Sequence, residues 1–215
     1  MKIFRFAKEH SSVIGRLVVN QIGMAIFGLV LTAAASAAGE SKRIFLLFCS
    51  IFAAVFYMFL LYSAMWEQGA RDRVRIDGGR LTRDRLFGLK AALWANALNI
   101  LLELLMLIGW LFGFVLTHAD FAVSLHAVVQ MIACLTQAMY IGIFRYIYPP
   151  VSGTTVAAYA PAAAANCLAF FLMLLPGLIV CTLAYIMGLY GFKIKYLFGG
   201  SRHEPYKNDK NGKDA

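Results

Sequence analysis

Apolar residues along this chain gather into five long runs, at 17–38, 44–66, 91–116, 122–144 and 167–190, and only the third has a charged residue inside it, Glu103. A hydrocarbon core about 30 Å thick takes roughly 20 helical residues to cross, so each run predicts a transmembrane helix. The turns at 39–43 and 117–121 are short, which makes hairpins of the first and second runs and of the third and fourth. The expected fold is therefore an all-α integral membrane bundle of five transmembrane helices, one domain over residues 1–198. The tail at 199–215, rich in Gly, Asn, Lys and Asp, has little to bury and reads as disordered. Pro176-Gly177 is expected to kink the last helix, because proline removes a backbone donor.

Composition agrees with lipid as the solvent: 61% of residues are hydrophobic, 14% are charged and the mean hydropathy is +0.71. The net charge of +9 would suggest nucleic acid for a soluble protein. Here the bases flank apolar runs, so anionic headgroups of the bilayer are the expected counter-charge and no nucleic-acid partner is implied. Lys2, Arg5, Lys8 and Arg16 precede the first run, and the connector at 67–90 carries Arg71, Arg73, Arg75, Arg80, Arg83, Arg85 and Lys90 against Glu67, Asp72, Asp77 and Asp84. The turn at 117–121 has no Lys or Arg. This asymmetry predicts a cytoplasmic N-terminus and a cytoplasmic connector. Ala35-Ser36-Ala37 resembles a signal-peptidase site, but the uncharged stretch between Arg16 and Glu40 exceeds an ordinary signal core, and a retained anchor is expected. Cys49, Cys134, Cys167 and Cys181 lie in apolar runs without metal-ligand spacing, so neither a disulfide framework nor a metal or other cofactor is indicated.

Charge also exposes a conflict. With five crossings the tail's six bases fall outside, leaving twelve of the twenty Lys and Arg residues in the cytoplasm. A further crossing or re-entrant segment around 146–166 would bring seventeen of them inside. Pro149-Pro150, Ser152, Thr154 and Thr155 make that segment a poor lipid-facing helix, acceptable only when buried in protein, and the sequence leaves it open.

Asn96, Asn99 and Glu103 are spaced by three and four, which puts them on one face of the third helix with Ala92 and Trp110. By the same spacing His126, Gln130 and Gln137 share a face of the fourth, and the two polar faces are expected to meet. Glu103 falls near mid-membrane, where an isolated carboxylate must be protonated, paired or hydrated. Interhelical hydrogen bonding is one use of such a stripe, and a proton or substrate pathway is another. His118, Asp120 and His126 gather near the outer turn, a weak metal set for which a solvated loop is the plainer account. Gly109 and Gly113 form a GxxxG expected on a face turned away from Glu103, suited to close packing within the chain or to self-association. The chain has no HExxH, GxSxG or phosphate-binding loop.

Two stretches, Trp66-Glu67-Gln68-Gly69-Ala70-Arg71-Asp72-Arg73 through Gly79-Arg80 and Tyr185-Ile186-Met187-Gly188-Leu189-Tyr190-Gly191, resemble segments of a family of small, uncharacterised bacterial polytopic membrane proteins. The resemblance implies a bacterial inner membrane and adds no activity. The expected role is a non-enzymatic accessory or scaffold subunit, partnered by the bilayer and by another membrane subunit or a second copy. The alternative is a small transporter or channel component that uses Glu103 as a protonatable site.

Overall fold

A computed structural model describes residues 2–36, 42–116, 120–147 and 156–191, and among these every regular element is helical. The elements are α1 (Lys2–Glu9), α2 (Ser11–Ser36), α3 (Lys42–Asp77), α4 (Phe87–Ala95), α5 (Ala97–Trp110) with a π-helical end (Leu111–Leu116), α6 (Asp120–Thr136), a 3₁₀ turn (Ala138–Tyr140), α7 (Ile141–Ile147) and α8 (Val156–Tyr190). Four helices are long and apolar enough to cross a membrane, or five if the broken pair of α6 and α7 counts as one span. The all-α membrane bundle expected from the apolar runs is the observed architecture.

The element boundaries differ from the apolar runs in instructive ways. At 1.5 Å per residue α3 is about 54 Å long, so its charged last turns continue well past the apolar stretch. The first part of the 67–90 connector is therefore helix rather than loop. Pairs one turn apart support it: Arg71 with Glu67 at 2.6 Å, Gln68 with Asp72 at 3.1 Å and Arg73 with Asp77 at 3.7 Å. The third run is divided at Asn96 into α4 and α5, and the fourth is broken at Gln137 with an 85° bend. The final helix begins at Val156 instead of 167, which absorbs the second half of the segment left open at 146–166, and it runs on through Pro176 and Gly177. Residues 148–155, the 199–215 tail and the turn holding His118 lie outside the described residues.

Contacts between elements fix their directions. Gly177 lies against Leu61, and further along Gly69 lies against the Tyr185 carbonyl and the Leu189 nitrogen, so α3 and α8 run parallel, in close backbone contact at Gly69 and Gly188. Gly88 faces Cys181, and Leu102 and Met106 cluster with Cys167 and Phe170, so α4 and α5 run opposite to α8. Along α6, Val123 sits on Gly113, His126 on Gly109, and Gln137 on Glu103, opposite to α5 again. Then α7 turns back beside the start of α3: Gly142 abuts Leu46 and Ser50, and the Tyr146 carbonyl accepts a hydrogen bond of 2.9 Å from Arg43. Both ends of the broken element consequently face the end of the bundle where α3 starts and α5 finishes.

Packing forms two adjoining cores. One is built around Tyr57, Leu61, Met65, Phe87 and Tyr185, the other around Leu102, Met106, Val129, Ala133 and Phe170. The outer face presents Ile22, Phe48, Phe52, Phe59, Leu98 and Leu172. So large an apolar exterior is the signature of a lipid-facing surface rather than of a water-exposed one.

Candidate functional site

The two helix breaks meet in the middle of the bundle, and each carries a side-chain amide. Asn96, at the joint between α4 and α5, donates from Nδ2 to the Ala92 carbonyl at 3.0 Å, and its Oδ1 accepts from Asn99 Nδ2 at 3.3 Å. One turn further on, Glu103 Oε1 accepts from Gln137 Nε2 at 2.9 Å, across to the break after α6. Glu103 has 0% exposure, with Asn99 and Gln137 at 2% each. The expected meeting of the two polar faces is thus made through Glu103 and Gln137.

No proline or glycine causes the break at Gln137. The chain is held bent from outside, because Gly28 of α2 lets the backbone of Ala138 and Met139 approach where any Cβ would collide. Ser50 of α3 completes it, donating to the Met139 carbonyl at 2.6 Å and accepting from the Gly142 nitrogen at 3.1 Å. Irregular backbone at membrane depth is tolerated only when its polar groups are satisfied in this way.

Four buried oxygens around these breaks have no hydrogen-bond partner among protein atoms: Asn99 Oδ1, Glu103 Oε2, Gln137 Oε1 and Tyr140 Oη. Asn99, Gln137 and Tyr140, but not Glu103, line a cavity of ≈ 10 Å³ together with Gln21, Tyr57 and Asn96. That is about the room one water needs. A second, apolar groove of ≈ 320 Å³ between α2, α4, α5 and α6 opens past the exposed Ile22, Ile26 and Leu98 and reaches Gln21 and Asn99 from the lipid-facing side.

The remaining sequence candidates separate from this group. His126 is fully buried, but its Nδ1 pairs with the Met106 carbonyl at 3.0 Å and its ring lies edge-on to Phe114, with no described bond to Glu103. Gln130 is only half-buried. Asp120 is exposed while His126 is sealed, and among the described residues no group of His, Cys, Asp and Glu is arranged to hold a metal. Gly109 and Gly113 pack within the chain against His126 and Val123. They meet α6 near the turn, whereas Glu103 meets Gln137 just past the far end of α6.

Sequence reasoning passed over a second buried carboxylate. Asp72, counted there among the acids of the connector, accepts 3.1 Å bonds from Gln68 Nε2 and Tyr185 Oη and has Arg75 at 3.7 Å. It fastens α3 to α8 beside the Gly69 and Gly188 contact. The arginines around it are paired but exposed, Arg71 with Glu67 and Arg73 with Asp77, while Arg83 and Arg85 lie over the Tyr190 ring at 5.3 and 6.0 Å. Arg80 is exposed. No family model, no curated protein and no solved structure matches this chain.

Proposed function

We propose that this chain is a non-enzymatic accessory or scaffold subunit of a bacterial cytoplasmic membrane, with its N-terminus and basic connector in the cytoplasm. The observation that carries the reading is the sealing of Glu103: a carboxylate with no exposure, bonded across helices, serves as an interhelical tie. The resemblance of the stretches from Trp66–Arg73 through Gly79-Arg80 and at Tyr185–Gly191 supports a bacterial setting, and the exposed arginines suit anionic lipid.

Orientation gains support from the broken element. If α6 and α7 enter and leave on one side, α8 returns the chain to the connector's side, and seventeen of the twenty Lys and Arg residues share the cytoplasm, leaving only Lys42, Arg43 and Arg145 opposite. This removes the charge conflict without a sixth crossing. Single cysteines at Arg80 and Ala119 should label from opposite faces of intact cells, and one at Lys207 should label with Arg80. Labelling of Lys207 together with Ala119 overturns the re-entrant arrangement.

The alternative, a small transporter or channel component, is favoured by one feature, the pair of helix breaks that converge at mid-bundle, as in proteins that bind substrates there. Glu103→Gln and Glu103→Leu separate the two. As a structural tie, Gln stays folded while Leu costs about 1 to 2 kcal/mol through lost bonds and a stranded Gln137. Proteoliposomes of the wild type then show no proton uptake beyond empty vesicles. Uptake that Gln abolishes without unfolding the protein overturns the scaffold reading.

A further inference from the structure

The lining of the ≈ 320 Å³ groove follows one helix. On α2 it consists of Val18, Gln21, Ile22, Ala25, Ile26 and Leu29, which alternate in steps of three and one and so form a single stripe. At 1.5 Å per residue the stripe is about 16 Å long, close to half the thickness of a hydrocarbon core of about 30 Å. Spread over that length, the volume gives a channel about 20 Å² in section, or about 5 Å across. Carbon atoms in contact sit about 3.5 to 4.0 Å apart, so a single methylene chain fits such a channel. A helix, about 10 to 12 Å wide with its side chains, does not.

The wall and the mouth of the groove differ in chemistry. None of the lining residues is charged, and two of the polar ones turn their donors to neighbours: Thr136 Oγ1 to the Ala133 carbonyl at 3.1 Å and Asn99 Nδ2 to Asn96 Oδ1 at 3.3 Å. The stripe begins at the connector end of the bundle, where Arg16 of α2 holds Glu67 of α3. At that end Trp94 of the lining follows Lys90 by one turn, which puts Lys90 beside the mouth. The Lys90 ammonium is 2.7 Å from Asp84 and 5.9 Å from the centre of the Phe6 ring, so α1 lies alongside with its exposed Arg5 and Lys8. Asp84 offsets Lys90 and Glu9 offsets Arg5, which leaves the Lys8 charge over.

We propose that this groove holds one acyl chain of an anionic phospholipid from the leaflet on the connector's side, with the lipid phosphate against Lys90 and α1. The chain length of one leaflet, the single-chain width and the basic mouth all match that ligand. The site goes beyond the scaffold reading and does not depend on the role of Glu103.

The full chain is reconstituted in vesicles of equimolar phosphatidylglycerol and phosphatidylcholine, extracted in mild detergent, and weighed intact to count and identify retained lipid. One lipid per chain should be retained, with phosphatidylglycerol favoured at least about fivefold. Leu98→Trp and Ile26→Trp fill the groove from its exposed rim, where folding tolerates bulk, and each should cut retention at least about tenfold at unchanged oligomeric state. If one of them fails to fold, the other decides. Lys90→Gln should still retain a lipid but lower the preference for phosphatidylglycerol about fivefold. The proposal is overturned by a chain that retains no lipid, by equal retention of the two lipids, or by retention undiminished in the folded groove-filling variants. It is equally overturned by a lipid-free dimer that those variants dissociate, since a second copy then covers the groove.

Discussion

Asp72 and Glu103 are both carboxylates sealed between helices, but their surroundings differ in kind. Asp72 sits near the connector end of the bundle, where Gln68 and Tyr185 donate to it and Arg75 lies 3.7 Å away. Glu103 sits at mid-bundle with one donor, Gln137 on Oε1, and its Oε2 has no partner among the described protein groups. Burial is similar and hydrogen-bond capacity is not. A carboxylate whose oxygens are met by fixed donors has nothing left to offer a ligand, so Asp72 is a fastening. Glu103, with one oxygen unmet, is the weaker tie of the two.

The contrast predicts that Asp72 matters more to stability than Glu103. Asp72→Ala should cost the most of any substitution considered, about 2 to 4 kcal/mol, because it strands Tyr185 Oη and loosens α3 from α8. Thermal unfolding in detergent measures it, and Tyr185→Phe should recover part of the loss in the double variant because the stranded hydroxyl is gone. A loss from Asp72→Ala smaller than that from Glu103→Leu would reverse that ranking.

Why one carboxylate was legible in the sequence and the other was not follows from the same geometry. Asn96, Asn99 and Glu103 stand out because polar residues at helical spacing contrast with an apolar run, and Gln137 completes the pattern on the next helix. Asp72 stands among other charges, where hydropathy has no contrast. Its burial depends on α3 continuing to Asp77 and on Gly69 and Gly188 bringing α8 close. The bend at Gln137 was equally hidden, since it carries no local breaker and is imposed by Gly28 and by Ser50, 89 residues away from Met139 in sequence. In the early part of α8, Ala163 at 0% and Asn166 at 8% exposure pack against protein rather than lipid.

The smallest effect sharpens the comparison from the other side, because a third carboxylate, Glu67, stands five residues before Asp72 on α3. Glu67 holds Arg16 of α2 and Arg71 of its own helix, each at 2.6 Å, shorter contacts than Asp72 has with Arg75. Distance alone would rank it as the stronger tie. Its side chain is 39% exposed, however, against 4% for Asp72, and water and salt screen an exposed pair while long side chains lose entropy in holding it. Arg16→Ala should therefore cost less than about 1 kcal/mol, and the difference from wild type should shrink as ionic strength rises. The cost of Asp72→Ala should persist in the same salt series, because its neutral partners Gln68 and Tyr185 are not screened. Unfolding curves for both variants at low and high salt test this. An Arg16→Ala loss as large as that of Asp72→Ala, and independent of salt, would show that proximity rather than burial ranks the carboxylates of this bundle.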